Sequence, residues 1–182
     1  MHLCFAIALL ALAPAKGPKM ADEYRQLTNV DVLPVALDPA FEFRKTKTFV
    51  LGELPVIGAA TGHRRGRYAV GKDPAVGFEA SYRLFGAVTE LDKRQRYGHY
   101  FDFFWRAKRN AHITVRLEYQ QEKLRSATQA REVDYPNAKG HHKTSFAIVG
   151  DDFFNDGHVL AWRCSLIENG RILAENRSYL WR

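Results

Sequence analysis

Along much of the chain every second residue is apolar, the pattern of strands that bury one face and wet the other. Ile113, Val115, Leu117 and Tyr119 alternate with Thr114, Arg116 and Glu118. Phe78, Ala80, Tyr82 and Leu84 alternate in the same way with Glu79, Ser81 and Arg83, and Phe146 and Ile148 do so less cleanly with Ser145 and Ala147. No segment carries a helical stripe of useful length, and residues 120–131 read as a strand edge with a loop. The runs predict strands near 41–51, 76–88, 97–106, 111–121, 128–135, 143–149, 158–168 and 171–181. Short strands joined by turns predict an all-β fold, an antiparallel β-sandwich of about eight strands. The sharpest local signal is Asn169-Gly170 between Ile167 and Ile172, because both residues tolerate the positive φ of a type I′ turn. It closes the chain with a long hairpin. Counting outward pairs Ile167 with Ile172, Leu166 with Leu173 and Trp162 with Arg177, the last bringing a guanidinium over an indole.

Six of the seven prolines fall at or before Pro74, so the regular sheet belongs to the later part of the chain. Residues 16–40 read as an irregular N-terminal arm and 41–182 as the sandwich domain. The strand run 76–181, the aromatic strand Tyr97 to Trp105 and the terminal hairpin together resemble the immunoglobulin or fibronectin type III sandwich superfold. The paired cysteines of immunoglobulin domains are absent. Such a resemblance implies a fold and no function, since these scaffolds host many.

Residues Leu3 to Ala15 are almost unbroken apolar, and Ala13-Pro14-Ala15 offers a small-x-small cleavage site. Residues 1–15 therefore read as a signal peptide, which places the mature chain in the periplasm or outside the cell. Met20, followed by Ala21-Asp22-Glu23, offers a competing cytoplasmic start. No other apolar run is long enough for a transmembrane segment. Removal of the leader leaves Cys164 as the sole cysteine, read as a buried thiol in an apolar strand.

Net charge is +7, which favours anionic partners in general. The basic residues are scattered, and the densest group, His63-Arg64-Arg65-Gly66-Arg67, is a short loop, so nucleic acid is not the expected partner. In Gly98 to Trp105 one strand face must be core; the other displays Tyr100, Asp102 and Phe104, two rings beside a carboxylate, suited to stack on a sugar and bond its hydroxyls. Asp151, Asp152, Asn155 and Asp156 supply four oxygen side chains in a predicted loop, a candidate Ca²⁺ site without the EF-hand spacing. His141-His142 is a weaker metal candidate, because adjacent extended residues point to opposite sides. Asp102 with Glu118 or Asp134 is the only carboxylate pairing considered for a hydrolase, and no catalytic motif marks it. The sequon Asn176-Arg177-Ser178 reads as a chance match. The expected role is non-catalytic contact with a protein or polysaccharide at the cell envelope. The alternatives are a carbohydrate-binding module, a hydrolase whose site is invisible in the sequence, and a cytosolic protein starting at Met20.

Overall fold

The structure is a computed structural model and describes residues 24–27, 30–52 and 74–182. The leader, the Met20 start and the basic loop around Arg64 lie outside the described residues. Six strands form one antiparallel sheet among the described residues: β1 (Arg25–Leu27), β2 (Phe41–Leu51), β3 (Gly98–Gln121), β4 (Thr128–Val149), β5 (Val159–Glu168) and β6 (Arg171–Arg177). They run in the order β1-β4-β3-β5-β6, and β2 pairs with the same strand β3 that β5 pairs with. The antiparallel sheet is thus as predicted, but the strand count is six. Residues 97–106 and 111–121 join into β3, and 128–135 and 143–149 join into β4, because the interruptions between them are register breaks within continuing strands. The arm at 16–40 also contributes structure: β1 pairs with β4, and Ala36 donates to the Ile172 carbonyl at 2.8 Å.

At about 3.3 Å per residue, the 24 residues of β3 would stretch roughly 80 Å if straight. They do not. Trp162, paired with Tyr119 near the end of β3, packs its ring 5.9 Å from Phe101 and 5.5 Å from Phe103 near the start. His99 Nε2 lies 3.2 Å from His158 Nδ1, and Gln121 Nε2 donates to the Gly157 carbonyl at 2.9 Å. Both ends of β3 therefore meet, so the β3–β4 hairpin doubles over at the register breaks between Ala107 and Ile113. Irregularities of this kind bend strands and increase their twist. Odd-numbered residues stay inside on both arms of the bend: Phe101, Phe103, Trp105, Ile113, Val115, Leu117 and Tyr119 belong to one buried cluster with Phe146, Ile148, Cys164 and Leu166. Asn176 Nδ2 donates to Thr46 Oγ1 at 2.7 Å, tying β6 to β2 across the seam. That bond engages the sequon's amide. Burial pushes the Cys164 thiol well up, in keeping with a structural role.

Residues 76–88, predicted as a strand, form instead a helix, α1 (Pro74–Leu84). The alternation splits into two pairs at i, i+4 spacing. Ala80 and Leu84 pack on Leu51, Tyr97, Tyr100 and Ala147, whereas Phe78 and Tyr82 stay exposed. A pattern of period two over seven residues cannot separate these cases. Two short helices follow, α2 (Glu90–Arg94), closed by a Thr89/Asp92 capping box, and α3 (Asp151–Asp156). The terminal hairpin has its predicted turn, with Asn169 at φ 50° and Gly170 at φ 72°. Ile167 does pair with Ile172, but a shift at Leu166/Ile167 moves the rest by one, so Leu166 meets Ala174 and Arg163 meets Arg177. The indole contact changes accordingly: Arg163 lies 5.3 Å from the Trp181 ring.

The His99–His158 contact makes the closure acid-sensitive. Burial, with His158 adjoining, lowers the His99 imidazole from 6.5 to about 4. The unfolded chain takes this proton below about pH 6.5 and the folded chain does not. Stability is therefore full above 6.5 and falls as pH drops towards 4, by about 3 kcal/mol at most. Urea titrations at pH 7 and pH 4 measure the loss, and His99→Phe removes most of it; an equal loss in that variant would assign the acid sensitivity to other groups.

Candidate functional site

Two outer faces result from the doubling over of the sheet. On the face built by β2, the first arm of β3 and the second arm of β4, strand register aligns Lys47 with Asp102 and Ser145, and Lys45 with Phe104 and Lys143. Tyr100, Asp102 and Phe104 lie together here, as the alternation predicts. Among the described residues helix α1 covers one end of this face and leaves the other open, where the alternation of 76–88 predicts a strand instead. A cleft of about 420 Å³ remains at the edge of the helix, lined by Thr46, Thr48, Glu79, Arg83, Tyr100 and Asp102 among others. That volume lies in the range of small-ligand sites.

The three predicted residues do not share one role. Tyr100 is only 7% exposed: its hydroxyl donates to the Arg96 carbonyl at 2.5 Å, and the Arg83 guanidinium lies 4.3 Å from its ring centre. Burial raises this phenol to about 12, against an opposing pull from Arg83 and Arg96. Tyr100 is thus a wall of the cleft rather than an open platform. Asp102 is a charge anchor. Ser145 Oγ donates to its Oδ1 at 2.6 Å, while Lys143 Nζ and Arg83 Nη2 face its Oδ2 at 3.0 and 3.6 Å. Arg83 also holds Glu79 at 2.7 Å, one turn away on α1, so a single guanidinium joins two carboxylates at the cleft. Phe104 keeps ring surface in solvent, with Lys47 Nζ and Lys143 Nζ at 5.9 and 5.7 Å from its centre. Glu79, Arg83, Lys47 and Lys143 were not singled out from the sequence. Strand parity alone, applied outward from Asp102 to 41–51 and 143–149, points to the two lysines; the α1 residues needed the helix.

The four oxygen residues proposed for Ca²⁺ lie on and around the helix α3 rather than in a loop. Asp152 is paired with the buried Arg131 guanidinium, which also donates to Tyr24 Oη and to the Ala147 carbonyl, and Asp151 lies 3.9 Å from Arg94. Among the described residues no three His, Cys, Asp or Glu side chains are grouped to hold a metal ion. His142 stacks on Trp105 with ring centres 4.5 Å apart, while His141 is exposed on the opposite side. Asp102 is not brought together with Glu118 or Asp134: Glu118 accepts from Arg163 at 2.6 Å and Asp134 from Thr114 at 2.6 Å, on the second outer face. No family model, curated protein or solved structure matches the chain, so the site is read from its geometry alone.

The anchor role of Asp102 has a measurable consequence. Asp102→Ala leaves Arg83 and Lys143 facing each other without their shared acceptor and is expected to cost about 1–3 kcal/mol in urea denaturation. Lys143→Ala, which removes a half-exposed partner, should cost less than about 1 kcal/mol. Equal costs for the two would mean that Asp102 is no more central than its solvent-facing partner.

Proposed function

We propose that this chain is a non-catalytic binding domain, a sandwich-type scaffold similar to the immunoglobulin and fibronectin type III superfold. It is read as an exported domain that contacts a saccharide polymer at the cell envelope. The observation that carries the reading is the partly buried Phe104 ring, which keeps an edge in solvent beside the anchored Asp102 and a cleft. A phenyl face takes the apolar C–H surface of a sugar, and nearby carboxylates and hydroxyls accept and donate to its hydroxyl groups. Rigid support under the ring comes from paired neighbours on both sides, β2 and β4, so the platform sits on regular strands rather than on a loop. The apolar leader supports export, and Ca²⁺ at α3 stays an untied proposal, since Asp152 already serves Arg131.

Affinity electrophoresis through gels carrying soluble neutral and acidic polysaccharides tests this reading. At least one polymer should retard the full-length chain, and Phe104→Ala should weaken that retention about fivefold to tenfold without lowering the melting temperature by more than a few degrees. Retardation by none of them sinks the saccharide reading.

Contact with a protein has an observation of its own. Phe78, Tyr82 and Phe85 follow one another at helical spacing from α1 into the turn after it and are 71%, 46% and 68% exposed. Exposed apolar stripes of this kind mark interaction surfaces. A photo-crosslinker placed at Phe78 should then trap one discrete protein in envelope fractions of the host, whereas the same probe at exposed Arg171 should not. Identical adducts from both positions count against it.

A further inference from the structure

The two outer faces differ in how their charges are satisfied. On the face formed by β1, the first arm of β4, the second arm of β3 and β5, charges form a closed ladder. Arg25 binds Glu132 at 2.6 Å, Arg116 binds Glu132 at 2.6 Å and reaches Glu118 at 3.8 Å, and Arg163 binds Glu118 at 2.6 Å and reaches Glu175 at 3.9 Å. Each arginine of this ladder has a carboxylate, while Arg177, the register partner of Arg163, stays exposed at its end. The Phe104 face is different. Among the described residues its carboxylates Glu42, Asp102 and Glu79 are already engaged, by Arg44, by Lys143 with Arg83, and by Arg83. No carboxylate of the described residues lies within ion-pair distance of Lys45, Lys47 or Arg106, which surround Phe104 in the strand register. Lys45 and Lys47 are exposed, and Lys47 touches the ring only at the outer limit of a cation–π contact. These cations are held by the sheet with no ion-pair contact to a carboxylate among the described residues, Glu42 and Asp102 being the register neighbours of Arg106 and Lys47.

Building on the saccharide reading above, we infer that the ligand is an anionic polysaccharide, its carboxylate or sulfate groups taken by Lys45, Lys47 and Arg106 while a sugar ring lies against Phe104. Charge complementarity selects a polyanion. The choice of saccharide over single-stranded nucleic acid rests on two features. Nucleic-acid surfaces stack successive bases on several open rings, whereas here Phe49 and Tyr100 are set into the cleft wall and Phe104 stands apart from them. Glu79 and Asp102 border the cleft, where they accept from hydroxyl groups, which ring every saccharide unit and which a nucleotide chain largely lacks.

The test uses the full-length chain with polygalacturonate, with neutral dextran and with oligothymidylate. One triple variant, Lys45→Gln/Lys47→Gln/Arg106→Gln, is compared with a charge-matched control, Arg171→Gln/Arg177→Gln/Arg182→Gln, which removes exposed cations elsewhere. Wild type should bind polygalacturonate at least about tenfold more tightly than dextran, with affinity falling steeply as salt rises. The face variant should lose about tenfold and the control less than about twofold. Equal losses in the two variants would show net charge at work and overturn the assignment of the site. Dextran bound as tightly as polygalacturonate, with Phe104→Ala weakening both, would overturn the anionic preference while leaving the saccharide reading standing. Oligothymidylate displacing polygalacturonate at equal charge concentration would overturn the saccharide assignment itself. No retention of any polymer would reject the parent reading together with this one.

Discussion

A strand of 24 residues that keeps one face apolar from Phe101 to Tyr119 cannot stay straight in water. Its inner side chains need a covering layer, and β4, its hydrogen-bonded neighbour, lies beside it rather than over it. Doubling the β3–β4 hairpin over itself supplies that layer from the same two strands, and the rings of Phe101, Phe103 and Trp162 close against one another. The remaining architecture depends on this closure. β2 and β5 both find a partner in β3 because each uses a different arm of it, and the seam between their sides is drawn together by Asn176 and Thr46. The His99–His158 contact and the Gln121 amide mark the point where the two ends meet.

Closure also creates two outer faces with opposite electrostatic characters. Glu118 and Glu132 have side chains only 3% exposed, and carboxylates so buried are tolerable only when paired and hydrogen-bonded. The arginine ladder meets that requirement. On the opposite face, Asp102 ties α1 to the sheet through Arg83, and the cations around Phe104 stay in solvent. One face is thus committed to holding the fold, while the other keeps exposed cations among the described residues.

Much of the site was legible from strand parity. Tyr100, Asp102 and Phe104 share an outward face because side chains alternate along any strand, whatever its partners. What parity could not reveal was their different fates. Tyr100 is roofed by Arg83 and α1 and Phe104 is not, a distinction that depends on a helix whose residues alternate like a strand. The oxygen-rich segment after Gly150 departs from local pattern for a similar reason: Asp, Asn and Gly signal a turn locally, yet here the chain completes a short helix whose Asp152 answers a buried arginine 21 residues away.

The sequence by itself determined most of the strand regions, their inward and outward faces and the Asn169-Gly170 turn, since each follows from side-chain alternation or the φ preference of neighbouring residues. Tertiary structure alone decided that four predicted strands are two, that the hairpin register slips by one at Leu166, and which cations end with partners. These depend on contacts between residues distant in the chain. Local pattern carries no record of where a long strand bends, or of what the bend brings together.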